Sequence, residues 1–121
     1  MIILDSNLII YSALPKFAYL RPLIKNVGSH ISAISTLEIL GFHRLEEEDK
    51  VYFESVFYSL NILPITENTL NEAINLRQQR KLSVGDAIIA ATTLFYDFDL
   101  YTRNLSDFDW IPNLRLVNPI I

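Results

Sequence analysis

Apolar and polar residues change period several times along this chain. Short runs in which every residue is apolar alternate with longer stretches in which apolar residues return every three or four positions. Ile2-Ile3-Leu4 is wholly apolar and stops at Asp5-Ser6-Asn7, which predicts a strand buried on both faces that turns into a helix. A short helix is expected over Leu8 to Leu14, ended by Pro15, and a second over Phe17 to Val27 before Gly28-Ser29. His30 to Ile34 alternates as a second strand. Ser35-Thr36-Leu37-Glu38 follows with the Ser-x-x-acid spacing of a capping box, so Glu38 is expected in the first turn of a helix that pauses near Gly41. Glu46 to Asp49 opens an amphipathic helix with Val51, Phe53, Val56, Phe57 and Leu60 on its apolar side.

The second half repeats the alternation. Asn61 to Ile65 reads as a strand with Pro64 near its end, and Thr66 caps a helix that carries Leu70, Ala73, Ile74 and Leu76 towards Lys81. Ser83 to Leu94 is apolar on every side except for Asp86, so it predicts a buried helix with one carboxylate at its start. Asp99 to Thr102 and Leu114 to Val117 read as strands, joined by a loop from Arg103 to Asn113. Strands alternating with helices imply right-handed crossovers, a parallel sheet and a three-layer α/β/α architecture.

With 121 residues, half of them apolar, and no linker composition, residues 1–121 are expected to form a single packed domain. The absence of cysteine excludes a disulfide framework, a thiolate zinc site and a Cys nucleophile, and is compatible with a reducing cytoplasm. No basic segment precedes the first apolar run, and no apolar run approaches the roughly 20 residues of a membrane span, so neither a signal peptide nor a membrane helix is expected. A formal charge of −4 argues against broad attraction to nucleic acid; any such chemistry needs a local basic patch or a metal ion.

The candidate chemistry lies in acids at strand ends. Asp5 follows the first strand, Glu38 the second, Asp86 opens the helix leading into the fourth, and Asp107 and Asp109 lie in the loop after it. With crossovers of the usual hand, all of them face the carboxyl edge of the sheet, where ligands bind in such folds. Each acid has a local explanation as a helix cap. None of these explains why they share an edge. Clustered carboxylates repel unless protonated or neutralised by a cation, and oxygen donors without His or Cys suit magnesium or manganese. The implied chemistry is metal-assisted phosphodiester hydrolysis.

Several motifs together carry a family resemblance: Asp5-Ser6-Asn7 after an apolar strand, Ser35-x-x-Glu38-Ile39-Leu40, Gly85-Asp86-Ala87-Ile88-Ile89-Ala90-Ala91-Thr92, and Thr102-Arg103-Asn104-Leu105-Ser106-Asp107-Phe108 with Leu114-Arg115-Leu116-Val117-Asn118-Pro119. In this order they resemble a PIN-domain ribonuclease, closest to the small toxins of VapBC-type toxin–antitoxin pairs. The resemblance implies a five-stranded sheet of order 3-2-1-4-5 and a Mg²⁺- or Mn²⁺-dependent endoribonuclease acting on RNA, dimeric and held inactive by a cognate antitoxin. It assigns Asp5, Glu38, Asp86 and Asp107 to catalysis, with Asp5, Asp86 and Asp107 holding the metal. Asp109 competes with Asp107 for the fourth place. Asn104 matches a supporting polar residue, and Ser6 stands where Thr is frequent.

Other chemistries find less support. His30 and His43 lack paired metal-ligand spacing, no Gly-x-Ser-x-Gly elbow presents a nucleophile, and no Gly-rich loop suggests a nucleotide site. Asn7 stands where an Asp-nucleophile phosphatase has its second acid, and the third strand ends without the Asp of a receiver domain. Arg77, Arg80 and Lys81 precede the Asp86 helix and Arg103 lies in the following loop; they serve either as helix-terminal cations or as contacts to an RNA backbone. The rival to a nuclease is a non-catalytic PIN-like module whose acids receive a basic segment of a partner.

Overall fold

The computed structural model describes Met1 to Ile121. Five strands, β1 Ile2–Leu4, β2 Ser29–Ser32, β3 Asn61–Leu63, β4 Asp99–Tyr101 and β5 Arg115–Val117, form one sheet of order β3-β2-β1-β4-β5. Every neighbouring pair is parallel, with Ile2 opposite Ser29 on one side and Asp99 on the other. Helices α1 Ser6–Ser12, α2 Arg21–Ile24, α3 Ala33–Leu40, α4 Glu47–Ser59, α5 Glu67–Gln79, α6 Val84–Tyr96 and α7 Leu105–Phe108 cover the sheet, giving the expected three-layer α/β/α arrangement.

The sheet separates two apolar cores, and the two-residue period of β1 feeds both. Ile3 packs with Leu100 and with residues of α5, α6 and α7, while Leu4 packs with Ile31 and with residues of α1, α2, α3 and α4. A strand apolar at every position is thereby buried on both faces, as a central parallel strand must be.

Several local features differ from expectation. The stretch expected as one helix from Phe17 to Val27 is a 3₁₀ segment, Pro15–Leu20, followed by the single turn of α2. Pro22 lacks an N–H and is accommodated only in a first helical turn, so the helix has to restart beside it. Helix α3 begins earlier than expected: pairing of β2 stops at Ser32, whose Oγ accepts the Ile34 N–H at 3.2 Å. Ser32 is therefore the cap, Ser35 lies inside the helix, and Glu38 occupies the second turn rather than the first. The cap of α5 behaves as expected, with Thr66 and Thr69 forming a reciprocal capping box. Val51, Leu70 and Ile74, expected on buried faces, are exposed. The loop after β4 contains α7, too short to leave a periodic signal. No helix is long and apolar enough to cross a membrane.

Candidate active site

The parallel topology sends the carboxyl ends of β1 and β4 to the same edge as the starts of α1 and α6. Asp5 stands between β1 and α1, only 3% exposed. It occupies the cap position of α1, yet its side chain makes no capping bond; Oδ2 instead accepts the Thr102 hydroxyl at 2.8 Å. Thr102, fully buried at the end of β4, in turn accepts the Asn104 N–H at 3.0 Å, which leaves the hydroxyl proton for Asp5. Asn104 thus supports the site through its backbone N–H.

Glu38 reaches the same edge from α3. Ser35 and Glu38, three residues apart on one helix face, both meet Ser6 at the start of α1: Ser6 Oγ donates to Glu38 Oε1 at 2.8 Å and lies 2.8 Å from Ser35 Oγ. The hydroxyl at position 6 therefore orients an acid rather than capping a helix. On its other side the Glu38 carboxylate rests on Gly85 at the start of α6. A Cβ added there would collide first with Glu38 Oε2 and would lie 2.9 Å from Cδ and 3.2 Å from Oε1. Asp86 follows in the first turn of α6; its N–H is capped by Ser83 Oγ at 3.1 Å, but the reciprocal half of a capping box does not form. The Asp86 carboxylate is left facing the other acids.

Burial and neighbouring charge raise the proton affinity of two of these acids. Asp86 is pushed up to about 6, first by burial and then by the charge of Asp5, with Asp107 and Glu38 adding and the Ser83 hydroxyl opposing. Asp5 is also raised, chiefly by burial, with the Thr102 hydroxyl and the Ser6 amide opposing and the charges of Glu38 and Asp107 adding. Asp109 acts on neither, and Asp107, not Asp109, borders the cleft that Asp86 enters. The only ion pairs in the structure are those of Arg115 with Asp97 and Asp99, at the amino end of β4, so none of the acids at this edge is salt-bridged. No three acids stand close enough to form a complete coordination cage. The donor set nonetheless fits a hard cation of the Mg²⁺ kind, which takes one or two carboxylates and fills its other positions with water.

Gly85 yields a direct test. In Gly85→Ala the obstructing atoms belong to the end of a flexible side chain, so the fold survives while Glu38 is displaced. Thermal stability is expected to hold or to rise by up to about 1 kcal/mol, while any activity that uses the Glu38 carboxylate falls about ten- to a hundredfold as it is misplaced. Loss of the folded state instead would show that the Glu38–Gly85 contact cannot relax.

The fold and its edge define the class: a parallel α/β domain with carboxylates from distant segments collected at the strand ends. The sequence profile of the PIN domain matches residues 2–110, and the chain belongs to that family. It is similar to the solved toxin–antitoxin complex from Klebsiella pneumoniae, with 27% identity and a TM-score of 0.79 over 99% of this chain and 98% of that one. VapBC2 from Rickettsia felis, solved on a DNA fragment from its promoter, is similar at 25% identity and a TM-score of 0.77, with 98% of each chain covered. FitAcB from Neisseria gonorrhoeae gives 25% identity and a TM-score of 0.76, with 98% of each chain covered. No curated protein matches the chain.

The pattern of apolar runs and acids places Asp5, Glu38, Asp86 and Asp107 at this edge, but it misses Thr102, Gly85 and the Ser6–Ser35 contact. The available signals are a buried-type threonine at the end of the strand beside β1, and a small residue immediately before Asp86.

Proposed function

We propose that the protein is a Mg²⁺- or Mn²⁺-dependent endoribonuclease, acting through one PIN-like unit across residues 1–121 as the toxin of a type II toxin–antitoxin pair in the cytoplasm. The observation that carries this reading is the pair Asp5 and Asp86. Two carboxylates from distant parts of the chain are held in partly dry surroundings, both with raised proton affinity, the charge of Asp5 acting on Asp86, and neither forms an ion pair. Such an arrangement is costly unless something positive binds there.

Asp5, Asp86 and Asp107 would hold the ion between them, one or two directly and the rest through its waters. When bound, the cation supplies Lewis acidity to the phosphoryl oxygen and lowers the pKa of a water. Thr102 keeps Asp5 Oδ2 in place, and Ser83 fixes the start of α6 beneath Asp86. Glu38, its carboxylate held by Ser6 on one side and packed on Gly85 on the other, would accept the proton of the attacking water. The substrate is a single-stranded or looped RNA, whose scissile phosphate is more accessible than in a regular helix.

Partners follow from exposed apolar surface. A groove of about 320 Å³ lined by Ile10, Leu14, Ile39, Phe42 and Phe53 opens beside Glu38, which suits an apolar segment of an antitoxin. The row Leu70, Ile74 and Val84 along α5 and α6 gives a second copy of the chain something to bury. The acids' failure to close a cage favours the rival reading, a non-catalytic module whose acidic edge takes a basic partner segment.

The deciding experiment incubates the protein with a mixed RNA pool and Mg²⁺, with EDTA and Asp5→Ala controls, and maps the product ends. Cleavage is expected only with wild type and metal. Products that persist in EDTA overturn the metal mechanism; no cleavage under any condition leaves the binding module.

A further inference from the structure

The cleft entered by Asp86 and Asp107, about 210 Å³ in volume, is also lined by the cations Arg80 and Lys81. After α5 the chain runs extended through Arg80, with φ −154° and ψ 159°, and reaches Ser83, the cap of α6. Arg77 braces this connection from behind, its Nε donating to the Leu82 carbonyl at 2.9 Å. Arg80 does not fold back onto the carbonyls of its helix, as a helix-terminal cation would. Its guanidinium lies 5.4 Å from the centre of the Trp110 ring, across the cleft on the α7 side. Trp110 is fixed in turn: Nε1 donates to the Asp107 carbonyl at 3.0 Å, and the ring packs partly against the core.

The Arg80 head group is thus positioned by an aromatic face that is tied to the backbone of a candidate acid. Neither Arg80 nor Lys81 takes part in an ion pair. In a chain of net charge −4, two unpaired cations beside the acidic edge are a local reversal of sign. A guanidinium stacked through its face keeps its in-plane N–H donors free, and these match two phosphate oxygens in a fork that an ammonium cannot reproduce.

We propose that Arg80 and Lys81, with Trp110 as the platform for Arg80, form a phosphate subsite for single-stranded RNA, binding a backbone phosphate next to the one addressed by the acids. This rests on the nuclease reading. It explains how a protein of net negative charge holds a polyanion: attraction is confined to one lip of the cleft, which fixes the direction of the strand across the carboxylates.

The test measures anisotropy of a fluorescein-labelled single-stranded oligoribonucleotide with the full chain in EDTA, and separately kcat and KM for its cleavage in Mg²⁺. Arg80→Ala is expected to weaken binding about tenfold. The double variant with Lys81→Ala lowers the slope of log K against log salt by about 0.7, one single-strand phosphate contact. KM rises while kcat stays near wild type, Arg80→Lys recovers only part of the affinity, and Mn²⁺ binding followed by calorimetry is unchanged. Inorganic phosphate competes weakly, and a single-stranded DNA of the same sequence suffers the same fold-loss, because only backbone charge is read. Wild-type affinity and salt slope in the double variant, alongside cleavage by wild type, overturn the subsite and leave the nuclease intact. Failure of wild type both to bind and to cut removes the nuclease reading and the subsite with it.

Discussion

Replacing Asp86 with Asn is expected to remove metal-dependent RNA cleavage and, at the same time, to make the metal-free protein more stable near neutral pH. Asp86 titrates at about 6 in the folded chain against 3.8 for the ordinary carboxyl, with burial the first cause and Asp5 the second. A carboxyl whose folded value lies above its unfolded one binds its proton more tightly in the native state, so native stability falls as pH rises between the two values and stays low above them. The full shift corresponds to about 3 kcal/mol. Because Asp86 is only partly buried, water screens much of this, and about 1 to 2 kcal/mol remains. Asn keeps the shape and removes the charge, so Tm should rise by about 5 °C at neutral pH and change little in acid. Cleavage should fall at least about a thousandfold, the several kcal/mol that one ligand of a Lewis acid commands. Thermal melts across pH with and without Mn²⁺ check both halves: Mn²⁺ should raise the Tm of wild type by mass action and leave the variant unmoved. A variant less stable than wild type at neutral pH would show that the charge is already compensated, and equal Mn²⁺ stabilisation of both would detach Asp86 from metal binding.

How far the site can be read without coordinates depends on the range of the interaction. The edge on which Asp5 and Asp86 lie is legible because it needs only strand–helix alternation and crossover hand, both carried by local pattern, and the sheet order 3-2-1-4-5 agrees with the resemblance. Glu38 is legible as a residue near a helix start but not as a second-turn residue. Ser32 and Ser35 are equally good caps by composition, and only the end of β2 pairing with β3 chooses between them. The contacts that orient the acids join residues far apart in sequence: Thr102 to Asp5, Ser6 to Glu38, Glu38 to Gly85. No periodicity encodes these. The exposed faces at Val51, Leu70 and Ile74 mislead for a related reason, since a 3.6-residue pattern records that a face is apolar and not whether this chain or another covers it.

Phe108→Ala is expected to be among the most destabilising single changes in the molecule, and it tests how the fourth acid is held. Phe108 is 1% exposed and packs in the core shared by β1, β4, α5 and α6. Truncating a buried Phe costs about 3 to 5 kcal/mol in lost transfer free energy and residual cavity, a large part of the roughly 5 to 15 kcal/mol that holds a domain of this size folded. Helix α7 has little else to anchor it. It spans only Leu105–Phe108, and Asn104 provides no side-chain cap. Its other ties include the Asn104 N–H to Thr102, the Trp110 indole to the Asp107 carbonyl, and the packing of Trp110 and Ile111 just beyond it. Urea unfolding should therefore show a lower midpoint with an unchanged m-value, and Phe108→Leu, which fills most of the space, should lose less than half as much. Below the melting temperature, Phe108→Ala should also cleave RNA more slowly than its folded fraction accounts for, because Asp107 immediately precedes the lost anchor and borders the cleft with Asp86. If the folded fraction of the variant retained full activity, α7 would be positioned by its hydrogen bonds and by Trp110 and Ile111, and Asp107 would not depend on Phe108.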